Sequence, residues 1–221
     1  MKNLYIVIHT ESEDQLRRNI ERLDGIKIAG VFLINHGKLN YKQLYRIGNK
    51  LKKDDPNLWI GYNFLDLGSS AFTYLKDKEV DGLWVDNSFA GLNLFKLKTI
   101  DKARIKSKFK GLYFGGFAFK GQIQPPSMER ACEDCKTFID VPTTSGVGTG
   151  IAVDIDKIKV IYKYLGSSYR LAVASGITSE NVGDYLPYVS DYIVSTGVSD
   201  SFTEINTDKV RKLSNLIYNY S

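Results

Sequence analysis

The feature that most constrains this chain is an alternation. Short, almost uniformly apolar runs recur along it, each followed by polar residues and then by a helical pattern. The runs are Leu4–Ile8, Ala29–Ile34, Leu58–Gly61, Gly82–Val85, Leu112–Phe117, Thr137–Val141, Leu171–Ala174 and Tyr192–Val194. Continuous apolar character suits strands covered on both faces of a parallel sheet, not the in–out alternation of a half-wet antiparallel one. Between the runs, Leu16, Ile20 and Leu23 share one helical face behind Ser12, a capping residue followed by the acidic first turn Glu13-Asp14. Tyr41–Lys53, Ser69–Lys78, Asp154–Leu165, Ser179–Leu186 and Thr207–Tyr218 read as further helices. Gly91–Lys110, crowded with lysines, reads as a solvated fourth helix with a ragged start.

Eight such units in 221 residues average about 28 residues each, which predicts a compact, single-domain (β/α)₈ TIM barrel over residues 1–221. A doubly wound open sheet, with about 5–6 strands, is the alternative that the count disfavours. No linker, low-complexity tract or repeat beyond the βα alternation is present. Hydrophobic residues at 43% and charged residues at 25% exclude a mostly disordered chain. No apolar stretch approaches the ~18 residues of a membrane span. The first apolar run is too short for a secretory signal, so it reads as a strand in a cytoplasmic protein. The net charge of +5 favours anionic ligands, but the lysine-rich stretch lacks the interleaved aromatics of a nucleic-acid surface.

Cys132 and Cys135 form a lone C-x-x-C. A redox pair would open a helix directly after a strand, and a closed zinc site needs four ligands. Here Pro125-Pro126 precedes a short helix in which the cysteines fall late, and the only histidines are His9 and His36. Two incidental thiols are expected, with no metal and no cofactor.

A barrel of this kind places function at the C-terminal ends of its strands. Those positions read His9-Thr10, Asn35-His36, Tyr62-Asn63, Asp86-Asn87-Ser88, Gly115-Gly116, Thr143-Thr144-Ser145, Ser175-Gly176 and Ser195-Thr196-Gly197. Units seven and eight each end in a hydroxyl residue and glycine. Glycine lets backbone N–H groups approach a ligand closely, and the loops after strands seven and eight are the recurrent phosphate position of the fold. A phosphate or other anion site is therefore expected at Ser175, Gly176, Thr196 and Gly197, with Val198–Phe202 as the short extra helix. Aspartate at Gly176 and Gly197 together should block it without disturbing the core. Pro142–Gly150 reads as a mobile flap, whose Ser145 and Gly146 would close over the ligand.

Thr144-Ser145-Gly146 with Gly148-Thr149-Gly150, then Ala174-Ser175-Gly176-Ile177-Thr178-Ser179-Glu180-Asn181-Val182 and Asp191-Tyr192-Ile193-Val194-Ser195-Thr196, resemble the C-terminal half of the BtpA family. Ile60–Leu65 and Val80–Asn87 resemble its third and fourth strands more loosely. The resemblance is best over residues 137–200, and members of that family are similar to the ribulose-phosphate-binding barrels. It implies a TIM barrel and, by analogy, a phosphorylated sugar or nucleotide-like ligand.

Asp86 and His9 are the catalytic candidates: a rim carboxylate suits general acid–base work, and an imidazole titrates near neutrality. Asn35, Asn63 and Asn87 suit sugar hydroxyls, and Lys120 could neutralise a ligand anion. Each has a plainer reading as a cap or loop contact. Two function classes follow: a lyase, isomerase or transferase acting on a phosphorylated metabolite, or a non-catalytic binding or assembly factor that keeps the anion site. The expected partner is a phosphorylated small molecule, not nucleic acid, with a homo-oligomer left open.

Overall fold

In the computed structural model, which describes residues 1–220, eight parallel strands close into a barrel in sequence order. The strands are β1 (Asn3–Thr10), β2 (Gly30–Asn35), β3 (Ile60–Asn63), β4 (Gly82–Val85), β5 (Leu112–Gly116), β6 (Val141–Ser145), β7 (Ala172–Ala174) and β8 (Asp191–Val194). The register Tyr5↔Ile193 closes β1 on β8, and Tyr5↔Gly30 starts β2 beside β1. The helices are α1 (Glu13–Glu21), α2 (Tyr41–Asp54), α3 (Ala71–Tyr74), α4 (Leu94–Ser107), α5 (Met128–Phe138), α6 (Ile155–Leu165), α7 (Val182–Tyr185) and α8 (Thr207–Tyr218). The only antiparallel pair among the described residues, Ser199–Ile205, lies outside the barrel sheet. Among the described residues, no helix is long and apolar enough to cross a membrane.

The barrel interior is unusually aromatic. Tyr5, Phe32, Trp84, Phe114 and Phe119 fill it together with Val7, Ile34 and Val141, and Trp59 packs against them. Room for Trp59 comes from two neighbouring glycines: a Cβ on Gly82 would lie 2.4 Å from its ring, and one on Gly61 2.8 Å away. A second, larger apolar layer, including Leu16, Leu33, Leu44, Ile158 and Val210, joins the outer strand faces to the helices. Continuous apolar runs are thus what two covered faces require.

Three local expectations are corrected. The sixth strand begins at Val141, not Thr137, because α5 continues to Phe138 and ends only at its Ile139 cap. Consequently Pro142–Ser145 belongs to β6, and Thr143, Thr144 and Ser145 are fully buried. The helices of units three and seven are single short turns. Asp77 adopts a left-handed φ of 59° soon after α3, and Pro187 follows α7, where it has no N–H to continue the helical hydrogen bonds. The fourth helix, in contrast, is regular over 14 residues, with the Asn93 side chain accepting from Lys96 N–H at its start.

Candidate functional site

Asp86 and Asn63 form the centre of the mouth. Gly61 faces the interior, so by the period of two Asn63 does as well, and the Leu83↔Tyr62 register sets Trp84 beside it. Asp86 follows on the same face. Asn63 Nδ2 donates to Asp86 Oδ1 at 2.9 Å, and Asn63 is 3% exposed. Burial pushes the Asp86 carboxyl up from its ordinary range. The Asn63 hydrogen bond, Lys120 and His36 oppose that shift. A carboxyl held this way exchanges its proton closer to neutrality than a surface aspartate.

His9 ends β1 and meets two rings. Phe202, from the loop between β8 and α8, stacks on it at 4.1 Å between centroids, and His36 meets it edge-on at 4.7 Å. Its Nδ1 is buried without a hydrogen-bond partner among the described residues. Burial first, then His36 and Lys120, pull the His9 imidazole down to about 4, and His36 is lowered mainly by burial. The expectation of a near-neutral imidazole at His9 is therefore corrected. It is uncharged at neutral pH, a weak base and a hydrogen-bonding group.

Asn35 turns to the loops instead of the mouth. Its Nδ2 donates to Leu39 O and Asp66 Oδ1, and its Oδ1 accepts from Leu65 N–H. Its amide is thus occupied, which displaces the sugar-hydroxyl role expected of it. Asn87 spends its carbonyl oxygen on Phe89 N–H at 2.9 Å, holding a left-handed Phe89, and keeps its amide N–H groups. Lys120 reaches the mouth from the β5–α5 loop. Its own N–H donates to Ser145 Oγ at 2.8 Å, and its Nζ donates to Thr149 Oγ1 at 3.0 Å.

The seventh and eighth turns do lie side by side, but the sixth loop is fastened onto them. Ser175, in a left-handed conformation of φ 87°, accepts from Gly150 N–H at 2.9 Å and donates to Gly148 O at 3.1 Å. The flap expected to be mobile is therefore pinned through the Ser175 hydroxyl. Gly176, Thr196 and Gly197 keep backbone N–H groups with no acceptor among the described residues. Both glycines are sterically required. A Cβ on Gly176 would meet Ala152 N at 2.1 Å, and one on Gly197 would meet Ile177 O at 1.9 Å. Aspartate at these positions would therefore disturb the fold, and the exposed Thr196 is the better place for a blocking charge. Val198–Phe202 is not a helix. A 3₁₀ turn covers Thr196–Val198, and Asp200 is drawn away toward Asn206 and Lys209.

Four contributors escaped the sequence reading: Trp84, Gln122, Lys157 and Phe202. Gln122 Nε2 donates to Asp86 O at 2.6 Å, while its Oε1 is buried without a partner among the described residues, as is Trp84 Nε1. Lys157 belongs to α6, yet its Nζ reaches Ala118 O and Ser145 O. Only the in–out period of β4 could have flagged Trp84. Cys132 and Cys135 are free thiols within α5, both fully buried, and burial pushes the Cys132 thiol up to about 12.

No family model matches the chain, and no curated protein matches it. Solved structures do. The chain is similar over its full length to 3-hexulose-6-phosphate synthase from Salmonella typhimurium, with all of that chain covered, a TM-score of 0.69 and 14% identity. Phosphoribosyl anthranilate isomerase from Thermus thermophilus matches 98% of each chain at a TM-score of 0.67 and 13% identity. KGPDC from Streptococcus mutans matches 99% of this chain and 98% of its own at 0.66 and 13%. At such identities these neighbours establish the fold, a single (β/α)₈ barrel.

Proposed function

We propose that this protein binds a phosphorylated small molecule at the barrel mouth and acts on it as a lyase, isomerase or transferase. The observation that carries this reading is the half-buried Asp86–Asn63 pair facing Lys120 and two uncharged histidines. Asp86, with its raised pKa, takes or returns a proton at the ligand. His9 contacts the ligand as a neutral hydrogen-bonding group. Asn63, the free N–H groups of Asn87, Ser145, Gly146 and Lys120 border the bound molecule, while Asn35 holds the loops around it. The phosphoryl group sits against the N–H groups of Gly176, Thr196 and Gly197, with Ser175 fixing the covering loop. The names of two structural neighbours, a hexulose-6-phosphate synthase and a phosphoribosyl anthranilate isomerase, support a phosphorylated ligand. The BtpA resemblance of residues 137–200 and a cytoplasmic location fit the same reading.

A second reading, a binding or assembly factor without turnover, is favoured by the state of the imidazoles: His9 is too weak a base to assist Asp86. One experiment separates the two. Ribulose 5-phosphate is incubated with the protein in D₂O and followed by NMR. Chemistry through an enediol exchanges the proton next to the carbonyl, and Asp86→Asn is expected to slow that exchange by ~10²–10⁴-fold. Heat protection by the ester without any exchange in the wild type supports the binding factor instead. No protection by inorganic phosphate, ribose 5-phosphate or nucleotides at millimolar concentration overturns the phosphate reading. Thr196→Glu should remove whatever protection is seen.

A further inference from the structure

Beside the mouth, the β5–α5 and β6–α6 loops enclose a cavity of about 570 Å³ lined by Lys120, Gln122, Ser145, Asp154 and Lys157, among others. Its charge is only partly compensated, with two lysines and one aspartate in the lining. The Lys157 ammonium donates to two backbone carbonyls, Ala118 O and Ser145 O. An ammonium has three N–H donors, so one remains for the cavity. Lys120 Nζ has only the Thr149 hydroxyl. Neither lysine has a carboxylate within ion-pair distance among the described residues. Asp154, the nearest acid in the lining, accepts from Asp156 N–H at 2.8 Å as the cap of α6.

A charge held partly out of water without a close counter-ion is costly. Burial draws Lys157 down to about 8, and Asp154 offsets this only in part. A buried acceptor without a donor, Gln122 Oε1, adds a place for a ligand hydroxyl. Lys120 lines this cavity and also acts on Asp86, His9 and His36 at the mouth, so one molecule can reach both.

We infer that the ligand carries a second anionic group besides its phosphoryl group, and that this group is held in the cavity between Lys120 and Lys157. The inference rests on the phosphate reading of the mouth. Its test compares ribose 5-phosphate, which has one anionic group, with two esters that have two, 3-phosphoglycerate and ribulose 1,5-bisphosphate, by calorimetric titration. At pH 7 the esters with two anionic groups are expected to bind at least tenfold more tightly, and the two arms tell a carboxylate from a second phosphate. Lys157→Met should erase that advantage.

Since Lys157 also ties two loop carbonyls, the wild-type pH profile is an independent readout. Lys120 and Asp154 are the other charged groups lining the cavity, and the phosphate has finished titrating by pH 7. Deprotonation of Lys157 should cut the advantage about tenfold between pH 7 and pH 9, with ribose 5-phosphate affinity little changed. If ribose 5-phosphate binds and neither ester with two anionic groups binds more tightly, the inference is overturned while the mouth reading stands. An advantage that persists unchanged at pH 9 and in Lys157→Met also overturns it. If none of the three esters binds, the mouth reading itself fails and takes the inference with it.

Discussion

The ionisable residues of the mouth pull stability in opposite directions as pH changes. The His9 pKa is about 4 in the folded protein, against 6.5 ordinarily. Between those values the unfolded chain binds the proton first, so His9 contributes stability that is complete above about pH 6.5 and is lost as pH falls toward 4. Asp86 has the opposite sign. Its raised pKa favours the protonated form in the fold, so its contribution is present at low pH and lost as pH rises through the folded value. His9→Gln should therefore flatten the fall of melting temperature between pH 6.5 and pH 4, and Asp86→Asn should steepen it. Equal slopes for wild type and His9→Gln would refute the burial of this imidazole. Ser145 gives a sharper single-site test. Its buried Oγ accepts from Lys120 N–H, and Ser145→Ala leaves that donor without a partner at a cost of about 1–3 kcal/mol in urea unfolding.

At the scale of elements, the seventh unit contrasts two glycines a few residues apart. Gly176 has a φ of +69° and lies against the Ala152 backbone, so Gly176→Ala meets both left-handed strain and overlap. Denaturant melts should show a loss of at least ~2 kcal/mol. Gly183 lies in α7 with open space around its Cβ position. Gly183→Ala should gain about 0.5–1 kcal/mol, because the substitution removes unfolded-state freedom without a clash. The turn between these positions explains why α7 starts late. Asn181 Oδ1 accepts from Thr178 N–H while its Nδ2 donates to Gly176 O, so the residues that resemble a helix start are spent on holding the loop after β7.

For the whole molecule, the end of the barrel opposite the mouth is closed by charge as well as by aromatic packing. Asp191 is fully buried, and Arg170 binds it through two nitrogens while also donating to Tyr5 OH at 3.3 Å. Arg170→Met would leave a buried carboxylate without its counter-ion, a loss of about 3–5 kcal/mol. The double variant Arg170→Met with Asp191→Asn should recover part of that stability, because the uncompensated charge is gone. Equilibrium unfolding of both variants checks this. A double variant less stable than Arg170→Met would show that the pair stabilises through more than charge compensation.

The eight-fold alternation, the helix cap at Ser12 and the list of polar residues at strand ends are local patterns, so the sequence alone determined them. Tertiary structure decided which of those rim residues face the mouth. A strand reverses its facing at every residue, so Asn63 turns inward to Asp86 while Asn35 turns to the loops. The two do identical work in the sequence and opposite work in the fold. The β6 boundary escaped for a related reason: Thr143, Thr144 and Ser145 look like loop residues until their hydroxyls find partners in neighbouring backbone and at Lys120. Distance along the chain hid the rest. Phe202 reaches His9 across 193 positions of sequence and Lys157 reaches Ala118 across 39, and desolvation of His9 and Lys157 arises only once these segments pack together. Charge state and facing depend on the surroundings of a side chain, which a one-dimensional pattern does not contain.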